Sequence, residues 1–387
     1  MDNEIKYIGF YDLPDAKESR VSTLAAINKM DYIADAINQA GFDVHIVSPS
    51  WSSGSRLKAT VQKGGTIQIY SKKKITFCPT FTTSKKITDY FKIVFTLIWL
   101  FFWLLKNVKK NEKIIVYHVQ WLSLPIRLAK RLRGFHLILE VEEFYCKIWE
   151  NKSILHKWEQ KLIDSADSYI TVSDVLADIL GPEVKAIVYG NYLLPAHIAD
   201  KPYFENDKIN VVYAGSIDET KGGAYKAVEC AAALPDKYLM HISGPGDEKS
   251  QKILVDKIEK LNKELGRIAC IYHGVINDDV FPDFLQSCQI ALNPQYSGEK
   301  FRYLFPSKII KYMACNLRIV STRIESIEKS VLSELITYSD DDQPASIVKS
   351  ILSVDLTMPY ESSSGIQKLN EEFVLHLKDI FKEERNN

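Results

Sequence analysis

Two series of short β-branched runs, each followed by an amphipathic stretch long enough for a helix, dominate this 387-residue sequence. In the first half the runs expected to be strands are Lys6–Tyr11, Asp43–Ser48, Ile114–Val119, His136–Val141, Ser168–Val172 and Ala186–Tyr189. In the second they are Ile209–Ala214, Tyr238–Ser243, Ala269–His273, Ile290–Asn293, Arg318–Ser321 and Leu335–Ser339. Between them lie segments such as LAAINKMDYIADAINQAG, whose apolar residues recur at helical spacing and whose closing Gly41 suits the left-handed residue after a helix. A strand reaches a parallel neighbour only through a long crossover, usually a helix. The alternation therefore predicts an α/β chain of parallel sheets with helices on both faces.

The polar stretch HIADKPYFENDK, 197–208, interrupts the alternation and reads as a linker. It divides the chain into two Rossmann-like domains, 1–198 and 199–387, with a closing helix over 366–382 that can pack back on the first. Ligands of open parallel sheets sit beyond the carboxyl ends of the strands, so two such domains facing each other are expected to line a cleft with post-strand loops. Lys+Arg and Asp+Glu both number 49, and this zero net charge argues against nucleic acid as a partner. The six cysteines (78, 146, 230, 270, 288, 315) include no CxxC pair and read as reduced thiols of a cytoplasmic protein. Charges directly after Met1 fit a first strand better than a signal peptide.

One segment stands apart. IVFTLIWLFFWLL, Ile93 to Leu105, is thirteen residues without a charge. As a helix it would be ~20 Å long, against a hydrocarbon core of ~30 Å, so it is not expected to span a bilayer. Basic clusters follow at 106–113 and 127–134. An apolar face beside bases suits peripheral contact with a membrane surface.

The stretch VVYAGSIDETKGG, 211–223, places Lys221 where a strand hands over to a helix. Helix N-termini carry unpaired amides that attract phosphate; a lysine adds a full charge, and Gly222 and Gly223 admit a ligand close to the backbone. Three further segments follow the same pattern of strand, glycine or cap, and helix: HISGPGDE (241–248), IYHGVINDDVFPDFLQSCQIALNPQ (271–295) and FRYLFPSKIIKYMACNLRIVST (301–322).

In order and spacing these four segments resemble the donor-binding domain of GT-B glycosyltransferases, specifically glycosyltransferase family 4 and its relatives in bacterial polysaccharide assembly. The likeness covers Ile209 to Ile324 and extends more loosely to WEQKLIDSADSYITVSD (158–174) and VYGNYLLP (188–195). It implies that Lys221, with Gly215 and Ser216 beside it, holds the diphosphate of a nucleotide-sugar, most simply a UDP-sugar. Gly244 lies at the second of these glycine turns. Gly274 and Val275 would frame the nucleobase, and Ser307 and Lys308 would meet the diphosphate or sugar. Two positions depart from the family. Ser216 stands where arginine is common, leaving Arg302 or Lys308 as substitutes. Tyr303 and Lys311 stand where a glutamate pair is usual, so the ribose grip would differ, with Glu299 as a candidate.

The facing domain is expected to supply the acceptor site and any base. LILEVEEFY (137–145) is a strand ending in Glu140, Glu142 and Glu143, and crowded carboxylates raise one another's pKa toward a useful value. Glu142 falls where the family carries a histidine; His118, at the end of IIVYHVQW, is a second cleft candidate. Glu142 as base implies inversion, whereas the family likeness implies retention. No metal motif precedes a donor loop, so no cofactor and no metal are expected. These readings converge on a glycosyltransferase acting on a lipid-linked or polysaccharide acceptor at the cytoplasmic side of a membrane, for capsule, O-antigen or exopolysaccharide. The alternatives are a non-catalytic scaffold or sugar-nucleotide-binding partner subunit that keeps the same fold, or a nucleotide-sugar epimerase.

Overall fold

Parallel pairing follows wherever a helix returns the chain to the start of the sheet. In the first half the parallel strands are β1 (Glu4–Ile8), β2 (Asp43–Ser48), β5 (Lys73–Phe77), β7 (Lys113–Tyr117), β8 (His136–Val141), β9 (Ser168–Thr171) and β10 (Val184–Ile187), with β5 reached from β2 through strands rather than a helix. Helix α1 (Leu24–Gln39) carries β1 over to β2. Its start is fixed by Thr23, whose side chain accepts from the Ala26 amide at 3.2 Å, and Gly41 just beyond its end has φ +98°. The computed structural model describes residues 3–13, 16, 20–53, 60–82, 86–144, 153–220 and 222–382.

The sheet order is β10-β9-β8-β7-β1-β2-β5, ending on β4 (Gly65–Tyr70), so the winding reverses between β1 and β7. One strand breaks the expected all-parallel rule. β4 pairs antiparallel with β5, and β3 (Thr60–Gln62) and β6 (Thr80–Thr82) form a separate antiparallel pair. The sequence pattern had not revealed these strands, because β4 is exposed on both faces and shows no apolar alternation aimed at a core.

The second half forms β11 (Ile209–Ala214), β12 (Tyr238–Ser243), β13 (Cys270–Tyr272), β14 (Ile290–Asn293), β15 (Arg318–Ser321) and β16 (Ile336–Tyr338). Every pairing in this sheet is parallel, in the order β13-β12-β11-β14-β15-β16. Counted from its own first strand the order is 3-2-1-4-5-6, that of a dinucleotide-type doubly wound sheet, with its switch point between β11 and β14. Val211, Tyr213, Met240, Ile242, Ile290, Leu292 and Val320 of these strands fill one core with Ala224, Ala227 and Ile347 from the helices.

Two compact units result. The first comprises Met1–Val172, Leu176–Val188 and Glu371–Asn387, the second Ser173–Val175 and Tyr189–Asn370. The chain thus passes into the second unit ahead of the polar stretch 197–208, and its last helix, Ser363–Lys382, begins in the second unit and ends in the first.

Helix α2 (Lys86–Asn107) contains the apolar segment and is longer than the charge-free run. Its 22 residues measure about 33 Å, so length does not exclude spanning as the thirteen-residue count had suggested. The window Tyr90–Asn107 is long and apolar enough to cross a membrane, with 22% of it buried. Lys92, Thr96, Leu100 and Leu104, four apart, form its buried line. Lys92 Nζ donates to the Ser52 carbonyl at 2.9 Å, and Trp103 packs edge-on against His45 of β2. The helix also packs on α3 (Ser123–Arg133).

Candidate functional site

At the carboxyl edge of the second sheet, three consecutive strand ends are laced by backbone. The Gly215 amide donates to the Ser243 carbonyl at 2.9 Å, Ile217 to Pro245 at 2.8 Å, and Gly244 to Gly274 at 2.9 Å. The Ser243 hydroxyl donates to the same Gly274 carbonyl. Gly244 has φ +146°, and a Cβ there would lie 1.9 Å from the Gly215 carbonyl oxygen, so only glycine allows this approach. Gly274, at φ +68°, leads into Val275, which is 66% exposed.

Helix α4 (Gly223–Ala233) opens beside this lacing. Its N-cap is Gly222, at φ +72° under the Tyr296 ring, and no side chain caps the helix. First-turn amides without a cap are a site for an anion. Tyr213 reaches the same place from β11. Its hydroxyl donates to the Ser216 carbonyl at 3.1 Å, and its ring packs where Gly223 leaves room. The Lys308 ammonium lies 4.2 Å from the centre of the Tyr213 ring. A Cβ on Gly215 would be 3.1 Å from that ammonium, which places the cation directly over the glycine turn. Ser307, the exposed residue before it, accepts no capping hydrogen bond from the helix amides. Next to this group, Lys226 Nζ sits 4.0 Å above Tyr296 and donates to the Asp342 carbonyl.

In the first unit, Glu142 and Glu143 follow β8 directly, at its carboxyl end. Glu140 is fully buried and hydrogen-bonded by the Tyr7 hydroxyl. Burial, reinforced by the neighbouring Glu142, holds the Glu140 carboxyl far above its ordinary range. Lys29 of α1 lies 3.7 Å from Glu142 and donates to the Val188 carbonyl at 2.8 Å. His118 is fully buried, 3.5 Å from Glu159; burial pushes its pKa down to about 4, so it is neutral. A depression of about 610 Å³ lined by Arg127, Arg131, Asp164 and Asp167 lies at the opposite, amino edge of this sheet, away from these carboxylates.

Residues 208–354 match the family described as glycosyl transferases group 1. Solved structures align over almost the whole chain. The E. coli trehalose-6-phosphate protein solved with UDP-2-fluoro glucose aligns at 13% identity and TM-score 0.65, covering 98% of both chains. Sucrose-phosphate synthase from Thermosynechococcus elongatus aligns at 14% identity and TM-score 0.64, covering 98% of this chain and 94% of its own. A UDP-forming trehalose-phosphate synthase from Burkholderia xenovorans gives 10%, 0.66 and 98% of both. The chain has the GT-B fold, and its second half is similar to the group 1 glycosyl transferases. Among curated proteins none matches it in sequence.

On this GT-B chain, Gly215, Ser216, Gly222, Gly244, Gly274, Val275, Ser307 and Lys308 all belong to loops or helix starts beyond the strands of the second unit. Lys221 lies outside the described residues, between Thr220 and Gly222. Two expectations need correction. Arg302 does not stand in for the missing arginine: its guanidinium bonds Glu299 at 2.8 Å and Glu325 at 2.7 Å, which raises its own pKa and lowers that of Glu325. A guanidinium already engaged by two carboxylates has its donors directed at them rather than at a phosphate. Glu299 is the exposed partner in that pair, accepting from Arg302 through one carboxylate oxygen. His118 is a core residue rather than a cleft base, because burial removes it from solvent. Tyr213 and Tyr296 escaped the sequence reading. Each is one aromatic among many, and only its long-range partners, Lys308 and Gly222, distinguish it.

Proposed function

We propose that this glycosyltransferase moves a sugar from a nucleoside diphosphate donor, UDP in the simplest case, to a lipid-linked glycan at the cytoplasmic face of a membrane. The observation that carries the reading is the cation over the glycine turn: Lys308 above Gly215, beside the uncapped start of α4. Departure of the diphosphate develops negative charge there, and a cation already in place stabilises that transition state more than the ground state. The UDP-2-fluoro glucose of one aligned structure and the UDP-forming reaction of another suit a diphosphate site of this kind. Their sugar-phosphate products differ from the lipid-linked acceptor proposed here, which draws its support from the exposed apolar face of α2. Metal independence belongs to the proposal, and turnover in excess chelator tests it.

Thermal unfolding with UDP-, GDP- and dTDP-sugars provides the first test. At least one donor raises the midpoint, and Lys308→Ala weakens its binding roughly ten- to hundredfold, as loss of a charge-assisted contact does. Unchanged binding by the variant would remove the assignment of this turn. Release of nucleoside diphosphate in the presence of acceptor lipid separates an enzyme from a scaffold of the same fold. The anomeric configuration of the product, read by NMR, assigns the chemistry: inversion with Glu142 as base, or retention with the donor phosphate assisting.

A further inference from the structure

We infer that α2 and α3 together form a face that lies flat on an anionic lipid bilayer. It rests on the lipid-linked reading for its purpose, though not for its observations. Opposite the buried line of α2, the side chains of Phe91, Val94, Phe95, Ile98 and Phe102 face solvent, Phe91 at 65% and Phe102 at 61% exposure. The adjoining α3 repeats the arrangement: Leu124, Leu128 and Leu132, four apart, are exposed, Leu132 at 66%, while Pro125, Ile126 and Ala129 are buried. A soluble helix turns polar residues outward, and contiguous apolar surface of this kind marks an interaction site.

Charge chooses the occupant. Arg127 and Arg131 alternate with the leucines along α3, and exposed Lys106 and Lys110 follow the apolar face of α2. Among the described residues, no carboxylate within ion-pair distance neutralises these four bases. Apolar residues flanked by bases fit acyl chains below anionic headgroups. Half-buried Trp99 and Trp103 on the same helix suit the headgroup boundary. A second copy docked through the same patch by a two-fold axis would set bases against bases. Spanning is opposed by the other side of α2, where Lys92 bonds Ser52 and Leu100 and Leu104 are wholly buried. Crossing a bilayer would strip that side from its sheet.

Flotation of the full chain with phosphatidylcholine vesicles, alone or mixed equally with phosphatidylglycerol, tests the inference. The chain floats with the anionic vesicles only, salt releases it, and carbonate washing extracts it. Arg127→Gln with Arg131→Gln weakens binding roughly thirtyfold, about fivefold for each base. Phe91→Ser with Phe95→Ser and Phe102→Ser abolishes binding while far-UV circular dichroism stays native. Equal binding to both vesicles, variants that bind like the parent, resistance to carbonate, or a dimer that the phenylalanine variants dissolve would each overturn it. Donor-induced thermal shifts on the same samples keep the two readings apart. Lost shifts with intact flotation count against the transferase reading, and intact shifts with no flotation count against this face.

Discussion

Gly244 shows how one missing side chain shapes the candidate donor site. Its backbone lies against Gly215, and a methyl group there would press 1.9 Å from a carbonyl oxygen that cannot swing away. Gly266 also has a positive φ, but at +62°, in the left-handed helical region at the end of a helix, and nothing lies within 4 Å of its absent Cβ, whereas Gly244 sits at +146°. The pair sets a left-handed turn in open space against a glycine-only backbone that also meets a clash. Gly266→Ala should cost about 1 kcal/mol, for strain alone. Gly244→Ala should cost about 3 kcal/mol or more and also blunt any donor-induced shift, since the glycine turn must move. Denaturant midpoints compare the two, and equal losses would mean that the close approach does not govern this turn. Tyr213 acts at the same scale, its ring holding the Lys308 ammonium over Gly215.

Helix α2 carries two apolar faces with different obligations. Leu104 has no exposed surface and packs inside the first unit, whereas Phe102, two residues earlier, is largely in water. Truncating the buried leucine to alanine leaves a cavity and should cost about 2–5 kcal/mol in urea denaturation without lipid. The same change at Phe102 should stay within about 0.5 kcal/mol, because little area returns to water. Comparable losses at both positions would show that the outer face is covered by protein. The exposed face of α2 would then need another explanation than lipid. At the neighbouring edge, β4 pairs antiparallel on an otherwise parallel sheet, a short cap that a hairpin can add without a crossover.

Across the whole molecule, buried histidines set the response to acid. His118 in the first unit is held down to about 4 and His241 in the second to about 3, both chiefly by burial; His136 and His273 shift the same way. The unfolded chain takes up protons near pH 6.5 while the folded chain does not, so stability falls as pH drops below 6.5, by about 1.4 kcal/mol per unit for each fully shifted histidine. Glu140, held protonated by burial, works with the opposite sign and offsets one such contribution above pH 4.5. Unfolding midpoints should therefore fall between pH 6.5 and 4.5, and His241→Asn should flatten the slope; an unchanged slope would remove His241 from this account. How much of all this could be read beforehand differs by level. Asp43–Ser48, His136–Val141, Ile209–Ala214, Tyr238–Ser243, Ile290–Asn293 and Arg318–Ser321 are strands on the residues expected, because parallel strands buried on both faces read as mostly apolar, β-branched runs. The glycine turns were legible too, since Gly222, Gly244 and Gly274 hold positive φ values that local backbone geometry favours for glycine. The exposed hairpin β4–β5 was not, for it offers no core-facing pattern. Neither were the commitment of Arg302 to Glu299 and Glu325, the burial of His118, nor the meeting of Tyr213 with Lys308. Period and composition report what each segment must bury; which charges pair and which cation stands over the turn depend on side chains that only folding brings together.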